Sequence, residues 1–184
     1  MLRAILSRQL RSMERSFGYD ASYMHEVLAV SPWTLLKFGL VASLGHGRRA
    51  PAAALAAAGI VGTLAEDCGP CTQISVDMAS RSGVDAGVLR AILAGDPDGM
   101  GDIAALAYRF ARASLARDMQ AADPLRDEIV RRWGKGGLVD VSMSLTTARM
   151  YPTLKYALGH GVTCSRVTVA GQAADFERPI PLAA

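Results

Sequence analysis

Two cysteines, Cys68 and Cys71, sit in the run Glu66-Asp67-Cys68-Gly69-Pro70-Cys71, and sulfur pairs at this spacing are suited to redox chemistry. Proline at 70 fits the first turn of a helix, where a missing N–H costs nothing, so Cys68 is expected near the cap and Cys71 in the opening turn. Unpaired backbone N–H groups and the positive end of the helix dipole favour thiolate over thiol there. Thiolate is the attacking form in peroxide reduction and disulfide exchange. The spacing also lets the two sulfurs join once one is oxidised. Glu66 and Asp67 act the other way, because nearby negative charge raises a thiol pKa unless a carboxylate serves as proton acceptor. Ser75 falls one helical turn beyond Cys71, within reach of its sulfur, but a hydroxyl does not take a proton at neutral pH as an imidazole does.

Other readings of the pair are half a zinc site and two inert thiols. A structural zinc site takes four ligands, and Cys164, His25, His46 and His160 are scattered singly, so no metal is expected. Inert thiols stay open, since small buried cysteines are common in helical cores. Cys-Gly-Pro-Cys is also the thioredoxin active-site sequence, but that fold sets it behind a buried strand with an aromatic residue ahead of the first cysteine. Here the preceding segment is alanine-rich, Asp67 precedes Cys68, and Arg109 to Asp118 holds no proline. The tetrapeptide match is chance or convergence. No cofactor is expected either.

The elements that must position the pair read as helices. Ser31-Pro32 predicts an N-cap and first-turn proline, with Gly45 stopping that helix in a left-handed cap. Pro51 to Ala65 is rich in alanine, a strong helix former of little bulk, and Gly59 and Gly62 allow a second backbone to approach closely. Past the CxxC pair, Thr72 to Arg81 continues as helix and Gly83 terminates it. Asp85 caps a short helix that Gly95 ends, and Asp96-Pro97-Asp98-Gly99 is a surface turn. Asp102 is expected to cap a longer helix with Ile103, Leu106, Ala107 and Phe110 on one face. Asp123-Pro124 opens another that Gly134 closes, and Leu138, Val141, Leu145 and Ala148 mark a last one, which Pro152 should kink or break. Val162 to Val169 reads as one short strand or an extended arm, and the end with Pro179 and Pro181 as an arm. With no alternating run long enough for a core sheet, the fold class is all-α.

The chain has 184 residues, 51% of them apolar, which suits one compact domain with terminal arms. The expected division is a helical arm over 1–30, a helical domain over 31–160 and an extended arm over 161–184. A net charge of +3, with basic residues in ones and twos, argues against nucleic acid. Trp33 to Leu44 is interrupted by Lys37 and falls short of the ~20 residues a bilayer requires, so no transmembrane segment is expected. At the N-terminus Leu2, Ile5, Leu6, Leu10, Met13 and Phe17 alternate with arginines. That is an amphipathic helix, not a secretory signal, and is expected to dock on its own domain or a sister subunit. One CxxC pair and a distant third cysteine point to a reducing, cytoplasmic setting.

A helix ending just before CxxC, a second starting within it, Gly83, and the continuation Val84-Asp85-Ala86-Gly87-Val88-Leu89 resemble the alkylhydroperoxidase-like (AhpD-like) and carboxymuconolactone decarboxylase superfamily. The resemblance covers roughly Pro51 to Ala94 well and the helical remainder loosely. It implies an all-α trimer or hexamer in which Cys68 and Cys71 reduce peroxides, with electrons from a lipoylated or other dithiol partner. In the peroxidase pattern a histidine stands where this chain has Ser75, and a glutamate where it has alanine near Ala56. Glu66 is the candidate to replace that carboxylate. Thiol-disulfide oxidoreductase is thus the leading expectation, with Cys68 and Cys71 as redox pair, Ser75 and Glu66 in support, and the order of attack open. The alternatives are a decarboxylase-like enzyme that does not use the cysteines, as some members of the superfamily are, and a non-catalytic helical scaffold. Apolar helices with small-residue faces, such as Ala52 to Gly62, are a second ground for expecting a homo-oligomer.

Overall fold

A computed structural model describes residues 1–163 and 166–177, so Cys164, Pro179 and Pro181 lie outside the described residues. The described chain is all-α with one small hairpin. Its helices are α1 (Leu2–Phe17), α2 (Ser22–Val30), α3 (Pro32–Ala42), α4 (Ala52–Ala65), α5 (Gly69–Arg81), α6 (Ala86–Ala94), α7 (Gly101–Leu115) and α8 (Met119–Ala157). Strands β1 (Val167–Val169) and β2 (Gln172–Ala174) pair antiparallel, Thr168 opposite Ala173.

The centre of the fold is α4. Its alanines Ala54, Ala57 and Ala58 are buried against α7, which answers with Ala104, Ala107 and Ala111. Side chains this small bring helix axes close, and Ile60, Leu89, Ile92, Ile129 and Val141 fill the space around them. Full burial of each such side chain contributes about 1.5–3 kcal/mol. On its other side α4 meets α8, where a Cβ built on Gly62 would lie 2.9 Å from the Leu145 carbonyl oxygen. Much of the small-residue face of α4 is therefore packed against this chain's own helices.

A second cluster holds the N-terminal arm in place. Leu6, Leu10, Tyr23, Met24, Leu28 and Leu35 pack together and against Ile74 of α5 and Tyr151 and Leu154 of α8. Arg81 of α5 fastens the end of α1, its guanidinium stacked 4.1 Å from the Phe17 ring and donating to the Ser16 carbonyl at 2.7 Å. The amphipathic N-terminal helix thus docks on its own chain.

Several local expectations shift. Ser31 caps α3 by accepting from Thr34 N at 3.2 Å, but α3 gives way to a 3-10 turn, Ser43–Gly45, and Gly45 has no left-handed backbone. Its lack of a side chain serves close packing instead, since a Cβ there would run into Thr147 of α8. Asp118, not Asp123, caps α8 by accepting from Ala121 N at 3.0 Å, and Pro124 falls within its first turns. Met100, not Asp102, occupies the cap position of α7. Gly134 breaks α8 at φ 70°, whereas Pro152, fully buried, is carried through to Ala157.

Residues 166–177 pack on the helical domain. The Gln73 amide acts as an extra strand for β1, donating to Thr168 O at 3.0 Å and accepting from Thr168 N at 2.7 Å. Val167 and Val169 are buried in the main core. Glu177 accepts from the Tyr108 hydroxyl at 2.7 Å and pairs with Arg112 at 2.6 Å. Burial and the Glu177 carboxylate push the Tyr108 hydroxyl up to about 12.

Candidate functional site

Cys68 occupies the N-cap of α5 in extended geometry, φ −108° and ψ 96°, with Pro70 in the first turn. The turn from α4 passes through Asp67 in the left-handed region at φ 49°, and the Tyr156 hydroxyl of α8 donates to its carbonyl at 2.9 Å. The two cysteines are paired as a disulfide with Cα atoms 5.3 Å apart. Their surroundings differ. Cys68 is fully buried, while Cys71 is 6% exposed and faces a cavity of about 800 Å³.

Glu66 turns away from this pair. Its carboxylate accepts from Arg149 Nε of α8 at 2.6 Å and from the Thr153 hydroxyl at 3.5 Å, an arrangement that ties the start of the turn to α8. Ser75 is half-buried and lines the cavity with Cys71, but among the described residues it makes no hydrogen bond to either sulfur. The histidines are elsewhere: His25 bonds to Glu14 at 3.2 Å, His160 bonds to Glu26 at 2.9 Å, and His46 lines a stretch of the same cavity formed by the loop before α4. Among the described residues no three metal-ligating side chains gather.

What faces the sulfur instead is a tyrosine cluster with a buried lysine. The Tyr19 hydroxyl lies 4.0 Å from Cys71 Sγ and 3.1 Å from the Tyr23 hydroxyl, and the rings meet edge to face at 6.4 Å. Lys155 of α8 is only 2% exposed, with Nζ 5.0 Å from the Tyr19 ring centre and 5.7 Å from that of Tyr23. Such placement suits an ammonium, which the negative faces of the rings attract. Burial raises the Tyr19, Tyr23 and Tyr151 hydroxyls above their ordinary 10.0, so they stay protonated at neutral pH and serve as donors. Burial lowers Lys155 below the usual 10.5, with Asp20 opposing part of the effect. Tyr19 and Ile74 also wall a smaller cavity of about 350 Å³, which Lys155 and the Gly69-Pro70 backbone line.

No protein-family model, curated protein or solved structure matches the chain.

Tyr19, Tyr23 and Lys155 carry no signal in the linear sequence. Tyr19 is 52 positions from Cys71, and only the docking of α1 and α2 brings it there. The i, i+4 pairing of Tyr19 and Tyr23 hints at a shared face but not at what that face meets.

The buried lysine and tyrosines imply a pH dependence of stability in the disulfide form. Between Lys155's lowered pKa and 10.5 the unfolded chain binds more protons than the folded one, so unfolding free energy rises with pH across that window. Above 10.0 the raised tyrosines act oppositely, and their contribution falls away as pH passes through their folded values. Urea unfolding from about pH 8 upward should show the rise in the wild type and a flatter curve in Lys155→Met. Identical curves would contradict the assignment.

Proposed function

We propose that the chain is a cytoplasmic thiol-disulfide oxidoreductase of AhpD-like character that reduces organic hydroperoxides, with Cys71 as the attacking sulfur. The observation that carries this reading is the Cys68–Cys71 pair at the start of α5 with only Cys71 open to the large cavity. In the reduced enzyme the Cys71 thiolate attacks a peroxide oxygen of ROOH. An S–O bond forms, the O–O bond breaks, and the departing alkoxide takes a proton to leave as ROH. Cys68 then attacks the Cys71 sulfenic acid; the S–S bond forms, the S–O bond breaks, and water leaves. A dithiol reductant restores both thiols in two exchange steps and is itself oxidised to a disulfide. Its attack on Cys71 expels Cys68 as thiolate at the α5 N-cap, where the backbone amides stabilise the leaving group.

In place of the histidine and glutamate relay that the resemblance implies, the group beside the sulfur is Tyr19, a hydrogen-bond donor and not a base. In the reduced enzyme its hydroxyl turns to donate to the Cys71 thiolate and accepts in turn from the Tyr23 hydroxyl, 3.1 Å away. Tyr19→Phe is expected to raise the Cys71 thiol pKa and to lower the rate of hydroperoxide reduction by about 10²-fold, with the cysteine pair still able to form its disulfide. Alkylation rates as a function of pH report the first effect and peroxide consumption the second. Unchanged values for both would remove Tyr19 from the site.

The enzyme acts as a homo-oligomer, with a lipoylated or other dithiol protein as its reductant. Support for assembly comes from α3, where Trp33, Leu40 and Val41 are exposed, as are Val30 before it and Leu44 after it. No helix among the described residues is long and apolar enough to cross a membrane. The test is consumption of an organic hydroperoxide by the purified chain with a dithiol reductant. Turnover in the wild type and none in a variant with both cysteines replaced by serine is the expected result. Equal rates in the two would overturn the proposal.

A further inference from the structure

The cavity that reaches Cys71 is lined along the length of two helices. On α4 its wall is Ala52, Leu55, Ala56, Gly59 and Thr63, and on α5 and its C-cap it is Cys71, Ser75, Met78 and Ser82, each set spaced along one helical face. Only residues 66–68 join the two helices, so they form an antiparallel hairpin. Thr63 and Cys71 therefore share one end of the channel, and Ala52 and Ser82 the other. From Ala52 to Thr63 is about 16 Å at 1.5 Å per residue.

The two ends differ in chemistry. The sulfur end is closed in by buried Tyr19, Tyr23 and Thr63. At the far end Ala52 and Ser82 are exposed, and so are the flanking cations Arg48 and Arg81. Arg81 is engaged with Ser16 and Phe17, whereas Arg48 makes no ion pair among the described residues. No aspartate or glutamate is among the described lining residues. Between the ends the wall is mainly alanine, leucine, methionine, isoleucine and phenylalanine. A long apolar passage with cations only at its mouth matches an anionic head on a single long hydrocarbon chain.

We propose that the channel binds a long-chain fatty acid, with its hydrocarbon chain laid along α4 and α5 toward Cys71 and its carboxylate at Arg48. This deepens the thiol reading by naming the substrate class, a hydroperoxide of such an acid. It rests on that reading for the chemistry but not for the binding.

Calorimetric titration of the disulfide form with palmitate, below micelle-forming concentrations, tests the site without any redox step. One palmitate per chain is expected, with methyl palmitate about tenfold or more weaker because it lacks the charge. Arg48→Glu, at an exposed position that leaves the core untouched, should weaken palmitate by a similar factor. Ala56→Trp should block the channel and abolish binding while the helical circular dichroism is retained. If that variant does not fold, protection of Cys71 in the reduced wild type from iodoacetamide by palmitate replaces it. No binding, equal binding of acid and ester, binding indifferent to Arg48→Glu, or no protection of Cys71 each overturns the inference. Loss of palmitate binding with peroxide turnover intact removes only the fatty-acid assignment. Binding without turnover removes only the thiol reading.

Discussion

Cys71→Ser is expected to stop peroxide consumption altogether, by about 10³-fold or more, whereas Cys68→Ser should consume one equivalent of hydroperoxide per chain and then stall. The asymmetry follows from placement. Cys71 lies on the cavity wall beside the Tyr19 hydroxyl, while Cys68 is fully buried at the helix cap and lines neither cavity. Without Cys71 no sulfur meets the peroxide. Without Cys68 the first step proceeds, but the sulfenic acid on Cys71 has no resolving thiol and persists until a reductant or a trapping reagent reaches it. Stopped-flow measurement of the burst, with mass spectrometry of the dimedone-trapped adduct, distinguishes the variants. A burst in Cys71→Ser and none in Cys68→Ser would reverse the order of attack.

The features legible in the sequence are those that local chemistry decides. Ser31 and Asp85 cap the helices they precede because a side-chain oxygen two or three residues from an unpaired N–H needs no help from the rest of the fold. Gly95 ends α6 at φ 69° because a residue without Cβ takes that conformation at little cost. The position of Cys68 at the cap of α5 follows in the same way from Pro70. What failed depends on distant partners. Asp118 and Asp123 are both plausible caps, and the choice between them lies in how α8 packs. Pro152 alone predicts a kink or a break, and it does not break α8: the proline is buried and the helix runs through it to Ala157. The hairpin over residues 167–174 depends on the Gln73 amide, 95 positions from Thr168. The site divides along the same line. The sulfur pair was legible, but Tyr19, Tyr23 and Lys155 come from helices whose docking no short window encodes. Glu66, a candidate by chemical type alone, is drawn to Arg149 instead.

Gly62 and Gly39 offer the sharpest test of how α4 is packed. In a solvated helix, replacing glycine by alanine gains about 1 kcal/mol, because alanine loses less conformational freedom on folding. Gly39, in α3, has nothing within 4 Å of the position a Cβ would take, so Gly39→Ala should stabilise the chain by roughly that amount. At Gly62 the same Cβ would meet the Leu145 carbonyl oxygen at 2.9 Å and lie 3.3 Å from Ala148 Cβ and Arg149 Cγ. The carbonyl belongs to a helix backbone and cannot rotate aside, so α4 and α8 must separate. Separation loosens the small-residue packing at the centre of the fold and draws Arg149 from Glu66 at the turn before Cys68. Overpacking of this kind costs about 1–3 kcal/mol, and a leucine at this contact lies at the upper end, so after the propensity gain Gly62→Leu is expected to lower unfolding free energy by about 2 kcal/mol. Urea unfolding of the two variants beside the wild type reads both signs, and a stabilising Gly62→Leu would mean that α4 and α8 do not approach as described.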